Sequence, residues 1–147
     1  MIVVNNQEFL AKWLCDRIGL TPTPEIMCLG TVIGDRLVGV VGYDGYNGAS
    51  IQMHVAGEGN WFTKESLRTA FDYPFNVLNV NMVIGLVPSG NTDAIKFNTH
   101  LGFQTDAVLK GAHPDGALLV MSMTREQCRY LNRKRKCHGQ EVVAEAA

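Results

Sequence analysis

The residues of this chain best suited to chemistry gather between positions 50 and 65. His54 lies in Ala49-Ser-Ile-Gln-Met-His-Val55, a run that alternates apolar and polar residues as a strand does. Imidazole as a class of group works as a base near neutral pH, so His54 is the first candidate to take a proton from an incoming nucleophile. Beyond it, Gly57-Glu-Gly-Asn60 breaks the chain, and a helical segment with Thr63 as its N-cap follows. Unpaired N–H groups in such a loop, with the positive end of a helix dipole behind them, favour an anion. The amides of Gly59, Asn60, Trp61, Phe62 and Thr63 are placed to supply them, with Lys64 as a nearby positive charge. Glu58 is a second candidate base, although a loop carboxylate is ordinarily only solvated. His113 sits in the turn His113-Pro-Asp-Gly116, where turn chemistry alone explains the last three residues. His100 stands near a helix end, where a cation suits the dipole.

Composition bounds what these residues can serve. The 147 residues are 46% hydrophobic and 18% charged with a net charge of −1. That suits one globular domain and excludes a disordered chain. It gives no overall drive toward nucleic acid or an anionic membrane. No apolar run reaches the length of a membrane span, and the N-terminus lacks the marks of a signal peptide. The four cysteines, Cys15, Cys28, Cys128 and Cys137, form no Cys-x-x-Cys pair. No metal site is expected, since zinc needs about four ligands at close spacing. Cys15 and Cys28 lie among apolar residues and read as buried thiols, which points to the cytoplasm.

The elements that must position the site follow from local signals. Asn5 or Asn6 can cap a first helix carrying Phe9, Leu10, Trp13, Leu14 and Ile18, stopped by Gly19. Residues 26–33 and 36–43 flank Gly34-Asp35 as a hairpin with a two-residue turn. The strand at 49–55 and helical character from Trp61 to Phe75 come next. A strand at 79–87 and a helix at 92–101 follow, with Asn91 as a plausible cap. Strands at 104–110 and 117–124 and a short closing helix from Thr124 to about Leu131 complete the fold. The arrangement is α+β, a three-layer αβα with a mixed, mostly antiparallel sheet flanked by helices. Residues 1–131 form the domain. Residues 132–147 read as a mobile tail, first basic at 133–136 and then acidic.

One stretch is more specific. Strand 79–87 runs through Pro88-Ser-Gly-Asn91 into a helix with Ala94, Phe97 and Leu101 on one face, ended by Gly102-Phe103. Strand, Pro-x-x-Asn, helix and Leu-Gly-Phe in this order resembles the GNAT superfamily of acyl-CoA N-acyltransferases. The resemblance covers roughly residues 26–124. Between Glu65 and Phe103 it is nearest the ribosomal-protein-acetyltransferase-like branch and small phage- or prophage-encoded members.

The resemblance implies acetyl-CoA as cosubstrate and an amine acceptor, with the cofactor held along the strand of His54 and the following loop. Gly59 matches the central glycine of the family's phosphate loop, while Trp61 takes a position that is usually small. A backbone N–H near Val55 would meet the reaction's oxyanion. Asn91 matches the asparagine that contacts the pantetheine arm. Asn98 stands where many members carry a tyrosine general acid; an amide has no titratable proton but can still hydrogen-bond the sulfur. Tyr43, Tyr46, Trp61 and His113 would lie near the acceptor. Family members are often dimers, although no strand here identifies a partner edge.

The function so implied is direct transfer of an acetyl group to a primary amine in a ternary complex. No cysteine or serine is poised as a covalent nucleophile. The acceptor stays open among a protein N-terminus, a lysine and a small amine. The alternative is a catalytically degenerate member of the same fold acting as a binding or host-interaction module. Nucleic acid would enter only through the 133–136 basic block.

Overall fold

The computed structural model describes residues 1–131. Its elements are β1 (Ile2–Val3), α1 (Gln7–Ile18), β2 (Met27–Ile33), β3 (Arg36–Asp44), β4 (Ser50–Gly57), α2 (Lys64–Asp72), β5 (Met82–Pro88), α3 (Thr92–Leu101), β6 (Gln104–His113) and β7 (Gly116–Thr124). The seven strands form one sheet in the order β1-β2-β3-β4-β5-β7-β6. All neighbours are antiparallel except β4 and β5.

The β2–β3 hairpin turns through Gly34 (φ 56°) and Asp35 (φ 66°). Two positive φ values in a two-residue loop match the right-handed twist of the strands. Asn6 caps α1, accepting the Phe9 N–H, and Gly19 closes it in the left-handed region. Helix α1 lays Leu10, Ala11, Leu14 and Cys15 against Ile26, Cys28 and Val40 on one face of the sheet. The larger core lies on the other face, under α2 and α3. There Tyr43, Phe71, Phe75, Val83, Phe103, Met121 and Met123 are buried together. The α+β, three-layer reading therefore holds.

Several elements differ from their expected bounds. Met1-Ile-Val-Val begins with a strand, Ile2 pairing with Thr31, because the β2 edge offers open backbone groups. The expected strand at 79–87 starts at Met82, since Asn79 has φ 55° and turns the chain first. The expected helix from Trp61 starts at Lys64 and widens at its end into a π-helical turn over Tyr73–Val77. Pro74 cannot donate a helical hydrogen bond, and the Leu78 N–H reaches the Tyr73 carbonyl at 3.0 Å. The expected closing helix is two tight turns, Gln127 N–H on the Thr124 carbonyl and Cys128 N–H on that of Arg125. Among the aromatics Phe71, Phe75 and Phe103 are buried, whereas Phe97 and Trp13 are half-buried, Trp13 with the Arg17 guanidinium 3.5 Å over its ring. The tail expected from residue 132 lies outside the described residues.

Candidate active site

The feature that makes a site is the short pairing of β4 with β5. It covers Ser50 with Met82, Ile51 with Val83 and Gln52 with Ile84, and stops. Beyond it β4 runs on through Met53–Gly57 held only by β3, and β5 through Gly85–Pro88 held only by β7. Two parallel strands that part midway leave a wedge between them. The backbone groups facing that wedge, around Val55, have no ladder partner.

Alternation sorts the side chains along β4. Ile51 and Met53 enter the α2 face, so Gln52, His54 and Ala56 point to the α1 face. There His54 meets a residue the sequence reading did not single out. Its Nε2 lies 2.9 Å from Asp44 Oδ1, across the β3–β4 ladder. The imidazole keeps 14% of its side-chain surface exposed and the carboxylate 31%. Hairpin register carries the signal: Gln52 pairs with Asp44, which puts His54 on the diagonal. Glu58 is engaged otherwise. Arg36 holds its Oε1 at 2.6 Å, and Arg17 approaches its Oε2 at 3.5 Å.

The loop after β4 presents a run of free amides. The N–H groups of Gly59, Asn60, Trp61, Phe62, Lys64 and Glu65 have no acceptor among the described residues. Those of Glu58 and Thr63 are taken by the carbonyls of Val38 and Trp61. The Thr63 hydroxyl caps α2, accepting the Ser66 N–H at 3.1 Å. Ser66 in turn meets the Thr31 hydroxyl at 2.9 Å, in the buried layer between α2 and β2. Gly59 has φ 62°, which aims the turn. The Trp61 ring does not stand among these amides. It is 7% exposed and lies flat on the sheet over Gly39 and Gly57, which pair in register. A Cβ at Gly39 would come within 1.9 Å of the indole, and one at Gly57 within 2.0 Å. Phe62 stacks on Trp61 at 4.2 Å and on Phe97 at 5.7 Å, tying the loop to α3.

The opposite wall comes from α3. Asn98 faces Gly85, its Nδ2 3.8 Å from where a Cβ there would stand. It makes only a weak contact with Met121 Sδ at 3.9 Å. Thus His54 and Asn98 stand on opposite faces of the sheet, and the wedge between β4 and β5 connects those faces. Asn91 caps α3, accepting the Ala94 N–H at 3.2 Å.

The expected acceptor residues are not gathered in one place. Tyr43 is 1% exposed and donates its hydroxyl to the Ala70 carbonyl; burial pushes that hydroxyl well above the usual tyrosine range. Tyr43 also lines a cavity of about 630 Å³ with Glu25, Asp44, Tyr46 and Tyr73, at the end of the sheet away from the free amides. His113 accepts the Asp115 N–H at 3.2 Å in the β6–β7 turn, which returns beside Ser89 at the end of β5. Among the described residues no three His, Cys, Asp or Glu side chains group to hold a metal. No described helix is long and apolar enough to cross a membrane.

No protein-family model matches the chain, and no curated protein matches it in sequence. Solved structures do. A spermidine N-acetyltransferase chimera from Vibrio cholerae and hSSAT superposes with a TM-score of 0.69, covering 90% of this chain and 98% of the other at 16% identity. A second such chimera gives 0.61 at 18% identity, over 71% of this chain and 70% of the other. The spermidine/spermine N-acetyltransferase of Vibrio cholerae gives 0.60 at 17% identity, over 82% of each. With its seven-stranded mixed sheet, its single parallel pair and its flanking helices, the chain has the GNAT acyltransferase fold.

Proposed function

We propose that the chain transfers an acetyl group from acetyl-CoA to a primary amine. One observation carries the reading: the β4–β5 wedge opens beside the free amides at 59–62 and 64–65. An acyl donor with a pyrophosphate needs both, a slot for its arm and unpaired donors for its phosphates. Gly59, Asn60, Trp61, Phe62, Lys64 and Glu65 would hold the phosphates through their amides, with Thr63 fixing the helix that carries two of them. The Lys64 ammonium adds charge. Asn91 and Asn98 would line the arm. The thioester supplies an activated acetyl carbon, and the chain need not form a covalent intermediate.

In this reading His54 takes the proton from the amine, directly or through water, and a backbone N–H near Val55 polarises the carbonyl. Asn98 steadies the sulfur without protonating it, so solvent protonates the departing thiolate. Positioning supplies much of the rate. The acceptor is a cationic amine in its resting form: the cavity that Asp44 lines with Glu25 and Tyr43 carries no Lys or Arg. The related folds include enzymes named for spermidine, so spermidine belongs in the first acceptor panel beside an N-terminal peptide and a lysine peptide. The free, buried thiols of Cys15, Cys28 and Cys128 fit a cytoplasmic setting.

Calorimetric titration with acetyl-CoA, and separately with CoA, tests the reading. Micromolar binding is the expected result. No binding at millimolar cofactor would overturn it and favour the second reading, a GNAT-shaped interaction protein. Asn98 at the tyrosine position is the observation that favours that second reading.

A further inference from the structure

We infer that Asp44 is the positioning residue of His54 and fixes which imidazole nitrogen acts. The inference rests on the acetyltransferase reading for its catalytic consequence, but not for its geometry. An ionised carboxylate only accepts hydrogen bonds. With Oδ1 at 2.9 Å from Nε2, the proton of the neutral ring belongs on Nε2. Nδ1 then keeps its lone pair, and it has no hydrogen-bond partner among the described residues. It is not sealed away either, since no buried side-chain nitrogen or oxygen there lacks a partner. The ring therefore presents a free basic nitrogen and is anchored by the other one.

The anchoring carboxylate is not spent elsewhere. Among the described residues the imidazole is the one ion-pair partner of Asp44, in contrast to Glu58, which two arginines hold. Both partners sit on strands of one hairpin, Asp44 at the end of β3 and His54 in β4, paired in register from Gly39 to Asp44. A base held by a carboxylate on a rigid ladder needs no reorganisation when it accepts a proton, and the carboxylate stabilises the imidazolium that forms. The proton moves from the acceptor's ammonium or amine to Nδ1. It leaves to water after the acetyl group has transferred, so the ring returns neutral with Nε2–H in place.

The test pairs a spectroscopic readout with kinetics. Nitrogen-15 NMR of the histidine rings in the whole protein is expected to show His54 as the Nε2–H tautomer. In Asp44→Asn the side-chain amide can donate to Nε2 instead, and that tautomer should be lost. Release of CoA thiol from acetyl-CoA with n-butylamine as the probe acceptor should fall about 10- to 100-fold in kcat, with KM for acetyl-CoA unchanged. Asp44→Glu should recover part of the loss, and Asp44→Asn/His54→Gln should lose no more than His54→Gln alone. An unchanged tautomer in Asp44→Asn overturns the positioning role. So does full turnover in that variant. Calorimetry with acetyl-CoA on wild-type protein separates this outcome from failure of the acetyltransferase reading, because the tautomer is read with or without turnover.

Discussion

A carboxylate clamped by two arginines and a histidine anchored by one carboxylate are not equivalent bases. Arg17 and Arg36 between them occupy both oxygens of Glu58, whereas Asp44 takes one ring nitrogen of His54 and leaves the other open. Alternation along β4 is enough to place His54 on the face opposite Ile51 and Met53. Its partner was not legible, because Asp44 and His54 meet only once the hairpin register is known. The arginines on Glu58 come from 41 and 22 positions away, and no local pattern announces them. The thiols were legible from their apolar neighbours. Burial, and then the nearby Cys15, pushes the Cys28 thiol up to about 11 from 9.0. The raised value means the folded state resists losing that proton. Its stabilising effect is whole below pH 9 and is lost as pH rises toward 11. Native protein at pH 8 is therefore expected to leave Cys28 unlabelled by a thiol-disulfide reagent, and guanidinium should expose it. Denaturation midpoints should fall between pH 9 and 11, and less so in Cys28→Ala. Rapid labelling of folded protein at pH 8 would contradict this.

At the scale of elements, the loop from Gly57 to Thr63 is placed by one ring. Trp61 lies on the Gly39–Gly57 pair, Phe62 stacks outside it, and Thr63 starts the helix. The sequence suggested a bulky side chain among the phosphate donors. Instead the ring anchors them from below and leaves the amides outward. The Thr63 cap and the breaks at Gly57 and Gly59 were legible because they are local. The aromatic seat was not, since it needs two glycines 18 positions apart brought into register. The same distinction separates α1, the β2–β3 turn and α3, all set by their own caps and turn residues, from β1, which needs a partner strand. Gly57→Ala should destabilise by roughly 1–3 kcal/mol through overpacking, and Trp61→Ala by roughly 3–5 kcal/mol through lost burial. The two share one contact, so the double variant should be less unstable than their sum by at least about 0.5 kcal/mol. Urea denaturation of the four proteins measures that coupling. Additive losses would mean the ring is seated elsewhere. Both single variants should also weaken acetyl-CoA binding, because the amides ride on the seat.

For the whole molecule the question is what the last sixteen residues add. Among the described residues two core clusters form, and Tyr130 and Leu131 pack on the larger one. Arg133 to Lys136 contribute four positive charges, and Glu141 and Glu145 two negative ones, so residues 132–147 carry +2. The full chain carries −1, which leaves −3 on residues 1–131. A domain of that charge has no sequence-independent attraction for phosphate backbones. Protein ending at Leu131 is therefore expected to melt within about 3 °C of the full chain, a shift worth no more than about 1 kcal/mol. Its acetyl-CoA affinity should be unchanged, since the wedge, the free amides and the His54–Asp44 pair all lie before Leu131. A duplex DNA titration in 50 mM salt should show no binding by the shortened protein. If the full chain binds DNA and the shortened one does not, at equal acetyl-CoA affinity, the basic block is an anchor independent of the acyl site. If acetyl-CoA affinity itself falls on truncation, part of the cofactor site lies beyond residue 131.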